Sequence, residues 1–496
     1  MNSETPAAVP MSTSGAVSNS MDTSVLLLEH LQRQKRAFLE EGKVSAQTRI
    51  DRIERLIALV LNHQNELCEA AAADFGRRSR HQSLMADVYA TLESLKHAKK
   101  HTRQWMDAEK RRVSFPLNLL GARAQVEYQP KGVVGNIATW NFPVYMALGP
   151  LAGIFAAGNR AMVKLSEIAP ASSELMQTLL TQSFDVTECV GFTGGSEVGA
   201  AFAGLPLDHL VYTGSASVGR HILRAAADNL TPVTLELGGK SPVIVSRSAD
   251  LKEAAIRIIT GKALNMGQVC LSPDYVFVPS ELREKFIEHL RAQAEHMFPT
   301  VLNNADVTSV VNQRHFQRLQ GIVENARALG GDVRVINPAG EDFNAQSKAQ
   351  VMPFTLVVEP DDKLQVMQEE IFGPLLPIKS YENLDEVVEY VNARPRPLAL
   401  YYFGRDSREE RQVLDRTTAG GVTINDVMSH ISCEDLPFGG IGNSGMGNYH
   451  GVEGFKTFSH TKSVYRQSRL NLQALSGMVP PYGKKAEGML KRMIKP

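Results

Sequence analysis

The sequence is poor in cysteine and tryptophan and has no excess of either charge. Its four cysteines, Cys68, Cys189, Cys270 and Cys433, are far apart and follow no repeated spacing. That pattern excludes a disulfide framework and a cysteine-rich metal site, so no metal is expected, and it indicates a reducing compartment. Basic and acidic residues both number 53, which gives no indication of a nucleic-acid partner. These absences predict a cytoplasmic protein that does not bind nucleic acid.

The ends of the chain carry no targeting or membrane signal. No apolar run is long enough to cross a bilayer, and no lysine or arginine precedes Arg33, so neither a secretory signal nor an arginine-rich transit peptide is indicated. We expect residues 1–21, rich in Ser, Thr, Ala and Pro, to form a disordered tail. The basic residues of 467–496 can touch a membrane, but no hydrophobic anchor follows them and a solvated tail is the commoner outcome.

The pattern along the chain predicts an α/β fold. A length of 496 residues suggests two or three domains. Apolar residues recur at three- and four-residue spacing from Asp22 to about Asp107, which predicts helices. From Gly132 onward short β-prone runs, beginning with 133–137, alternate with helical segments. Such alternation is typical of a parallel, doubly wound sheet.

Two residues with catalytic chemistry stand in unusual local sequences. Glu236 lies near the end of the β-prone run 233–237 and just before two glycines, a place where active-site bases are common. Cys270 follows Gly-Gln-Val and precedes another strand-like run. Taken singly, a lone cysteine is most often a small buried hydrophobe, and a lone glutamate is most often solvated. Together, the carboxylate and the thiol indicate a covalent mechanism.

Two further blocks give that pair its context. They are Thr139-Trp-Asn-Phe-Pro143 and Glu369-Glu-Ile-Phe-Gly-Pro374. In this order and at these separations, the four blocks resemble the aldehyde dehydrogenase superfamily, from about Arg49 to about Val464. The resemblance implies oxidation of an aldehyde to a carboxylic acid with a nicotinamide dinucleotide.

The resemblance also implies the aldehyde dehydrogenase fold and its division into parts. These are a Rossmann-like parallel-sheet cofactor domain, an α/β catalytic domain, a small β oligomerisation element that makes a homodimer, and a C-terminal tail. In this sequence the cofactor domain corresponds to 22–111 with 131–238 and the catalytic domain to 239–454. The oligomerisation element corresponds to 112–130 with 455–466, and the C-terminal tail to 467–496. Periodicity alone does not reveal the oligomerisation element.

The cofactor signal is indirect, because the usual G-x-G-x-x-G fingerprint is missing. The stretch from Gly214 to Gly219 lies between a predicted strand and a predicted helix, whose first N–H groups can face a pyrophosphate. Glycines at such a turn are more often structural. Ala216 departs from the threonine that is commoner in the family, which affects affinity and not chemistry. The resemblance places Ser215 at the phosphate and Val218 at the adenine. The residues that it assigns to this part of the cofactor site are Trp140, Gly214, Ser215, Val218, Gly219 and Gly238.

Four more residues are assigned to the two riboses. Lys164 and Glu167 follow a predicted strand, and without the resemblance they would be a solvated pair. With it, the carboxylate accepts hydrogen bonds from the adenosine ribose while the ammonium donates one. This favours NAD, since a 2'-phosphate would meet like charge, although some relatives with this glutamate accept NADP as well. The resemblance gives Glu370 and Phe372 to the nicotinamide ribose and ring; the alternative for Phe372 is a place in the core.

The chemistry of aldehyde oxidation assigns three catalytic residues. Cys270 is the nucleophile, because a thiolate is the best side-chain nucleophile near neutral pH. The Asn141 amide and the Cys270 backbone N–H stabilise the oxyanion, although Asn141 can instead be a turn-former before Phe-Pro. Glu236 activates water for thioester hydrolysis. Relatives that pass the acyl group to coenzyme A generally lack this glutamate, which argues for release of a free acid.

The substrate is predicted from short motifs. The runs 445–451 and 457–460 resemble the shorter, usually dimeric branch that contains fatty and aromatic aldehyde dehydrogenases. Within it, 74–81, 229–236, 267–270 and 273–275 are similar to the coniferyl aldehyde dehydrogenases. Aromatic walls for a planar substrate would come from Phe142, Tyr145 and Phe438, which are equally residues that fill any core. The alternatives are a medium- or long-chain aliphatic aldehyde and, less favoured, a coenzyme A-acylating enzyme or a non-catalytic binding protein.

Overall fold

The computed structural model of the chain describes residues 14–344 and 349–495. Its strands, numbered along the chain, are β1 Glu109–Arg111, β2 Arg123–Pro130, β3 Val133–Ile137, β4 Arg160–Lys164, β5 Cys189–Phe192, β6 His209–Gly214, β7 Val233–Leu237, β8 Ser241–Val245, β9 Pro273–Pro279, β10 Asp332–Val335, β11 Thr355–Val358, β12 Leu375–Tyr381, β13 Ala399–Phe403, β14 Gly421–Ile424, β15 Gly445–Met446 and β16 Ser459–Arg466.

The α-helices are α1 Ser14–Glu41, α2 Ala46–Asn62, α3 Gln64–Phe75, α4 Arg80–Ser83, α5 Ala90–Trp105, α6 Pro143–Ala156, α7 Pro170–Ser183, α8 Ser196–Ala203, α9 Ala216–Ala227, α10 Leu251–Ala263, α11 Arg283–Met297, α12 Gln313–Ala328, α13 Gln365–Gln368, α14 Leu384–Asn392, α15 Ser407–Arg416, α16 Gly451–Thr457, α17 Leu472–Leu475 and α18 Lys484–Met493. A π-helical turn, Leu84–Tyr89, joins α4 to α5. Over the described ranges, no helix combines the length and the apolar composition needed to cross a membrane.

The first sheet contains the strands predicted from 133 onward. Its order is β15-β7-β6-β3-β4-β5, and all neighbours pair in parallel except β15 with β7. The chain order reverses at β3, so the carboxyl ends of its strands form the crevice in which ligands of open α/β sheets bind. The predicted α/β, doubly wound architecture is confirmed.

A second sheet of seven strands follows in the chain. Its order is β10-β11-β12-β9-β8-β13-β14, and only β10 and β11 pair antiparallel. The loops that carry Cys270 and Glu370 enter its strands β9 and β12 at their amino ends. The carboxyl edge of the first sheet therefore faces the amino edge of the second, and the site lies between them.

A third, smaller sheet is built from distant parts of the chain. Strand β2 pairs antiparallel with β16 over their full lengths, from Pro130 opposite Ser459 to Arg123 opposite Arg466. The resemblance placed an oligomerisation element in these two segments. Strand β1 also joins this sheet, although it lies within the range 22–111 that we assigned to the cofactor domain.

Other elements differ from the expected boundaries. Helix α1 begins at Ser14, inside the segment expected to be a disordered tail, and its buried Leu27 and Leu31 pack against the first sheet; residues 1–13 of that segment lie outside the described part. Strand β15, expected in the catalytic domain, joins the first sheet beside β7. Helices α17 and α18 lie within the C-terminal range 467–496. A two-residue strand such as β15 leaves no periodic signal in a sequence.

Candidate active site

The loop before Cys270 is bent sharply by three residues in the left-handed region. Asn265, Met266 and Gly267 have φ values of 49°, 49° and 76°, the first two in a region that side chains rarely occupy. At Gly267 an added Cβ would come within 2.3 Å of the Gly373 carbonyl oxygen. The close approach of the two loops therefore requires glycine here.

Buried hydrogen bonds fix the same loop. The Gln268 side chain donates from Nε2 to the carbonyl oxygens of Asn265 at 2.9 Å and Ser309 at 3.0 Å, and it accepts from the Val311 N–H at 3.0 Å. Gln268 is 1% exposed, so these bonds are shielded from water. They hold the backbone that presents Cys270.

The Cys270 thiol lies on the wall of a cavity of about 840 Å³. Burial raises its pKa well above the ordinary value, and the carboxylates of Glu236 and Glu370 raise it further, while its own backbone N–H acts in the opposite direction. The resting form at neutral pH is therefore the thiol. A reaction at this sulfur needs a group that takes its proton.

The Glu236 carboxyl group is the neighbour that can take this proton. It stands on β7, is 1% exposed, and neither of its oxygens has a hydrogen-bond partner among the described residues. Burial raises its pKa to about 8, and its interaction with Cys270 opposes that rise. A carboxyl group with this pKa is poised to exchange a proton near neutral pH.

Hydrogen bonds fix both the backbone carbonyl group and the side chain of Asn141. Its carbonyl oxygen accepts from Arg78 Nη1 at 2.8 Å and from Asn265 Nδ2 at 3.0 Å. Its own Nδ2 donates to the Gln268 carbonyl oxygen at 3.2 Å. An amide nitrogen has two hydrogens, so a second donor remains at a position fixed beside the cysteine loop.

Glu370 reaches into the site over a glycine. An added Cβ at Gly238 would lie 2.2 Å from Glu370 Oε2, so the carboxylate can approach the backbone only because that side chain is absent. Glu370 Oε1 is buried without a hydrogen-bond partner among the described residues. Burial raises the Glu370 pKa to about 8, and the charge of Asp274 adds to the effect.

The loop that carries Glu370 is clamped from outside the site. Ile371 donates its N–H to Asp274 Oδ1 at 2.9 Å, and Lys240 forms an ion pair with the other oxygen of that carboxylate. Arg318 Nη2 donates to the Ile371 carbonyl oxygen at 2.6 Å. The next residue, Phe372, has a φ of 48°, a left-handed conformation that these contacts maintain.

The predicted ribose pair is not a solvated one. Lys164, at the end of β4, has a side chain that is 2% exposed, and its Nζ donates to the Leu165 carbonyl oxygen at 2.6 Å and to Glu167 Oε2 at 3.3 Å. The Glu167 side chain is 46% exposed. The buried ammonium thus holds a carboxylate that stays open to solvent at the carboxyl edge of the first sheet.

The loop from β6 to α9 is also at that edge. Ser215 caps α9, and its Oγ accepts from the Val218 N–H at 3.4 Å. Val218 is 45% exposed, while Gly219 is buried and its Cα faces Leu237 on β7. Gly214 ends β6 just before the cap. The predicted strand, loop and helix are confirmed as elements.

Two of the three predicted aromatic walls line the cavity, and one does not. Phe142 and Tyr145 are on its wall with Cys270. Phe438 is not; it is 3% exposed and its ring stacks on His450, centroids 4.7 Å apart. His450 in turn lies 3.1 Å, through Nε2, from the Tyr145 hydroxyl. The Phe438 ring thus packs on His450 and is not part of this cavity wall, and its contact with the substrate stays a prediction.

Sequence reasoning missed most of the remaining wall. One side is a face of α5 and the turn before it, where helical spacing from Met85 to Lys100 could have suggested a shared surface. The other side is an irregular segment without periodicity. The wall residues from these two parts include Met85, Tyr89, Glu93, Lys96, His97 and Lys100, and Val427, Met428, Ile431 and Cys433.

The chain is similar in sequence and in structure to known aldehyde dehydrogenases. A profile described as "Aldehyde dehydrogenase family" matches residues 16–464. The chain is 52% identical to a "Probable coniferyl aldehyde dehydrogenase" from Caulobacter vibrioides, over 94% of this chain and 96% of the relative. It is 49% identical to a "Coniferyl aldehyde dehydrogenase" from Pseudomonas sp. strain HR199, over 94% and 95%. The structure of Staphylococcus aureus AldH in a substrate-bound state has a TM-score of 0.86 at 33% identity, over 94% and 99%.

Two further similarities concern the nucleotide. A structure of betaine aldehyde dehydrogenase from Staphylococcus aureus in complex with NAD+ has a TM-score of 0.79 at 25% identity, over 92% of this chain and 89% of that one. A rat "Aldehyde dehydrogenase, dimeric NADP-preferring" is 36% identical over 91% and 97%. Both nucleotides thus occur among the proteins that this chain resembles. The fold, the profile match and the identities over nearly the whole chain lead to one conclusion: the chain belongs to the aldehyde dehydrogenase family and is an oxidoreductase that oxidises aldehydes.

Proposed function

We propose that the protein oxidises an aromatic aldehyde, coniferyl aldehyde or a close analogue, to its carboxylic acid with NAD. The observation that supports this best is the position of Cys270 on the wall of a cavity of about 840 Å³ that is also lined by Phe142 and Tyr145. Ligand cavities of this size hold a drug-sized molecule. The carboxyl groups of Glu236 and Glu370 both raise the pKa of the same thiol.

The first step forms a bond between the Cys270 sulfur and the aldehyde carbon. Because burial raises the pKa of the thiol, Glu236 assists by accepting its proton. Negative charge develops on the former carbonyl oxygen, where the second Asn141 Nδ2 hydrogen and the Cys270 backbone N–H stabilise it. The Asn141 donor needs no reorganisation, since Gln268 and Arg78 already fix the residue.

The dinucleotide fits the residues at the facing sheet edges. Glu370 Oε1 is buried and lacks a protein partner among the described residues, as expected of a group that accepts from a ribose hydroxyl. The rings of Trp140 and Phe372 pack edge to face. The phosphates and adenine would lie along Gly214, Ser215, Val218 and Gly219. The second ribose would be held by Lys164 and Glu167. A bound dinucleotide would supply the hydride acceptor that oxidation of the thiohemiacetal needs.

The second half of the reaction hydrolyses the thioester. Glu236 first loses to solvent the proton that it took from Cys270 and then takes a proton from water, so that hydroxide adds to the acyl carbon. The carbon–sulfur bond breaks, the acid leaves, and Glu236 returns its proton to the Cys270 sulfur. The Glu236 carboxyl group interacts with the Cys270 thiol, and once that sulfur carries the acyl group the carboxylate is available to a water. This supports release of a free acid over transfer to coenzyme A.

The choice of coniferyl aldehyde rests on the relatives with that name and on the aromatic part of the wall. A medium- or long-chain aliphatic aldehyde is the second candidate, because Met85, Val427, Met428 and Ile431 give the cavity an apolar side. The test is kcat/KM for coniferyl, cinnamyl, benzyl and C6–C12 aliphatic aldehydes under one set of conditions. A higher value for the aliphatic series would select the second candidate.

The assembly and compartment are part of the same proposal. We assign NAD binding to 22–111 and 131–238, catalysis to 239–454 and dimerisation to 112–130 with 455–466. Phe115 and Leu119, in the loop before β2, are 78% and 75% exposed, which supports an interface there. Light scattering on the purified chain at several concentrations measures whether it is a dimer.

Free cysteines are consistent with a cytoplasmic enzyme.

A further inference from the structure

Arg78, in the block Asp74–His81, forms a buried ion pair with Asp87 in the π-helical turn that follows α4. Arg78 Nη2 and Asp87 Oδ2 are 2.8 Å apart, and the two side chains are 0% and 1% exposed. Burial lowers the pKa of Arg78 and raises that of Asp87, while their mutual attraction opposes both changes. A buried pair of this kind is rarely a net source of stability, since desolvation offsets the attraction. Its position in the fold indicates another use.

The guanidinium of Arg78 is tied to the residue that we propose as oxyanion donor. Its Nη1 donates to the Asn141 carbonyl oxygen at 2.8 Å. Its Cζ lies 4.7 Å from the ring centroid of Phe75 and 5.2 Å from that of Phe142. Two rings and a carboxylate thus fix the orientation of the planar guanidinium, and with it the direction of its hydrogen bond to the Asn141 carbonyl oxygen.

Asp87 holds the chain on the other side of Asn141. Its Oδ1 accepts from the N–H groups of Val144 at 3.1 Å and Tyr145 at 3.2 Å. These N–H groups belong to the first turn of α6, whose N-cap residue, Phe142, supplies no side-chain cap. A carboxylate from a distant segment therefore caps the helix and meets its positive end. The ion pair spans the peptide segment from Asn141 to Tyr145.

We infer that Arg78 and Asp87 are positioning residues that set where the Asn141 amide stands relative to the Cys270 sulfur. The inference rests on the proposed role of Asn141 in stabilising the oxyanion. Neither side chain is on the cavity wall, so both act through the backbone. A displacement of about 1 Å at a reacting group can cost about 100-fold in rate, so a clamp that is neutral for stability can still be essential for turnover.

Arg78→Lys is the informative variant. A lysine keeps the positive charge beside Asp87 but cannot donate to that carboxylate and to the Asn141 carbonyl in one fixed plane. The matched control is Arg77→Lys in the same block, because Arg77 donates to the carbonyl oxygens of Val301 and Val307 at 3.1 and 3.0 Å and not to Asn141. Asp87→Asn, which retains an acceptor for the α6 N–H groups, replaces Arg78→Lys if that variant does not fold.

The experiment is a double-mutant cycle with Asn141→Ala. We measure kcat and KM with coniferyl aldehyde, binding of NAD, and the rate at which iodoacetamide alkylates Cys270 without aldehyde. We expect Arg78→Lys to lower kcat by about 10- to 100-fold in the chain with Asn141 and by less than about twofold in the Asn141→Ala chain. NAD binding, the alkylation rate and the Arg77→Lys control should stay near the parent values.

Each other result has a defined meaning. An equal loss in both backgrounds, or no loss in either, overturns the positioning role and leaves the proposed function intact. A loss of NAD binding or a slower alkylation with Arg78→Lys shows a general structural effect and also overturns it. If Asn141→Ala is as active as the parent, the oxyanion assignment itself is wrong, and the clamp has nothing to position.

Discussion

The ring of Trp140 packs edge to face on the ring of Phe372, with centroids 5.4 Å apart. Trp140 follows strand β3 of the first sheet, whereas Phe372 precedes β12 of the second. The contact therefore closes the seam between the two sheets at the point where we place the nicotinamide. To make this contact, Phe372 adopts a left-handed backbone conformation. Hydrogen bonds from the neighbouring Ile371 to Asp274 and from Arg318 to Ile371 maintain that conformation.

The first prediction concerns the nucleophile. Cys270→Ala should abolish aldehyde oxidation, because Cys270 is the proposed nucleophile; among the described cysteines only the exposed Cys433 also lines the cavity. NAD binding should persist. Cys433→Ala is the matched control and should retain activity, as should variants of the buried Cys68 and Cys189. Appreciable turnover by Cys270→Ala, measured as NADH production, would refute the assignment.

The second prediction concerns the base. Glu236→Gln should lower steady-state acid formation by about 10²- to 10⁴-fold, the usual cost of losing a general base. The first turnover of NADH should slow as well, because in the proposed mechanism Glu236 also accepts the proton of the Cys270 thiol. Glu369→Gln, at an exposed neighbour of the same loop as Glu370, is the control. An unchanged rate for Glu236→Gln would remove the argument against acyl transfer.

The third prediction is a pH profile. The basic form of Glu236 is the deprotonated one, and its pKa is raised to about 8 by burial. Activity that needs this form must rise as pH increases through that value, and fall as pH decreases below it. We expect kcat/KM, measured from pH 6 to 9.5 at constant ionic strength, to increase with an inflection near pH 8. A flat profile for the parent enzyme contradicts the assignment, as does an inflection that survives in Glu236→Gln.

The fourth prediction concerns the aldehyde. Phe142 and Tyr145 line the cavity, so Phe142→Leu and Tyr145→Leu should narrow the preference for coniferyl aldehyde over acetaldehyde. Phe438 packs on His450 instead, so Phe438→Leu should leave the ratio of the two kcat/KM values unchanged even where stability falls. Equal efficiency of the parent enzyme on both aldehydes would exclude the aromatic proposal.

The fifth prediction concerns the nucleotide. Glu167 is 46% exposed and is held by Lys164, in position to accept from ribose hydroxyls, whereas NADP would bring a phosphate against it. We expect NAD to be preferred by at least about tenfold, equivalent to about 1.4 kcal/mol, and Glu167→Gln to reduce that ratio through KM for NADP. If the parent enzyme prefers NADP, Glu167 does not face the ribose.

What the sequence predicted well was the repetitive part of the fold. Val133–Ile137 is β3 within the bounds predicted, and helices α2, α3 and α5 lie in the segment from Asp22 to about Asp107 where helices were predicted. The alternation of strand and helix carries this information locally. It also brings the strand ends together, because the carboxyl ends of parallel strands share an edge.

What the sequence could not predict depends on long-range contacts. Phe438 was expected on the cavity wall, but only the folded chain reveals that its ring covers His450. Arg78 lies in the loop before α4 and Asp87 lies nine residues later in the π-helical turn, and no sequence pattern indicates that they pair. The close approach of Gly267, at the end of the left-handed turn that starts at Asn265, to the Gly373 carbonyl oxygen is likewise a long-range contact that the local sequence does not indicate.

The pairing of β15 with β7 limits how the two large sheets can move. Gly445 pairs with Glu236, Met446 pairs with Leu235, and the Leu237 N–H donates to the Ser444 carbonyl oxygen at 3.0 Å. The chain that leaves the second sheet is thus bonded to the strand that carries the carboxylate. A wide hinge-like opening would have to tear this ladder apart at the reacting centre. Small sliding motions and side-chain rearrangements along the seam, in contrast, leave this ladder intact.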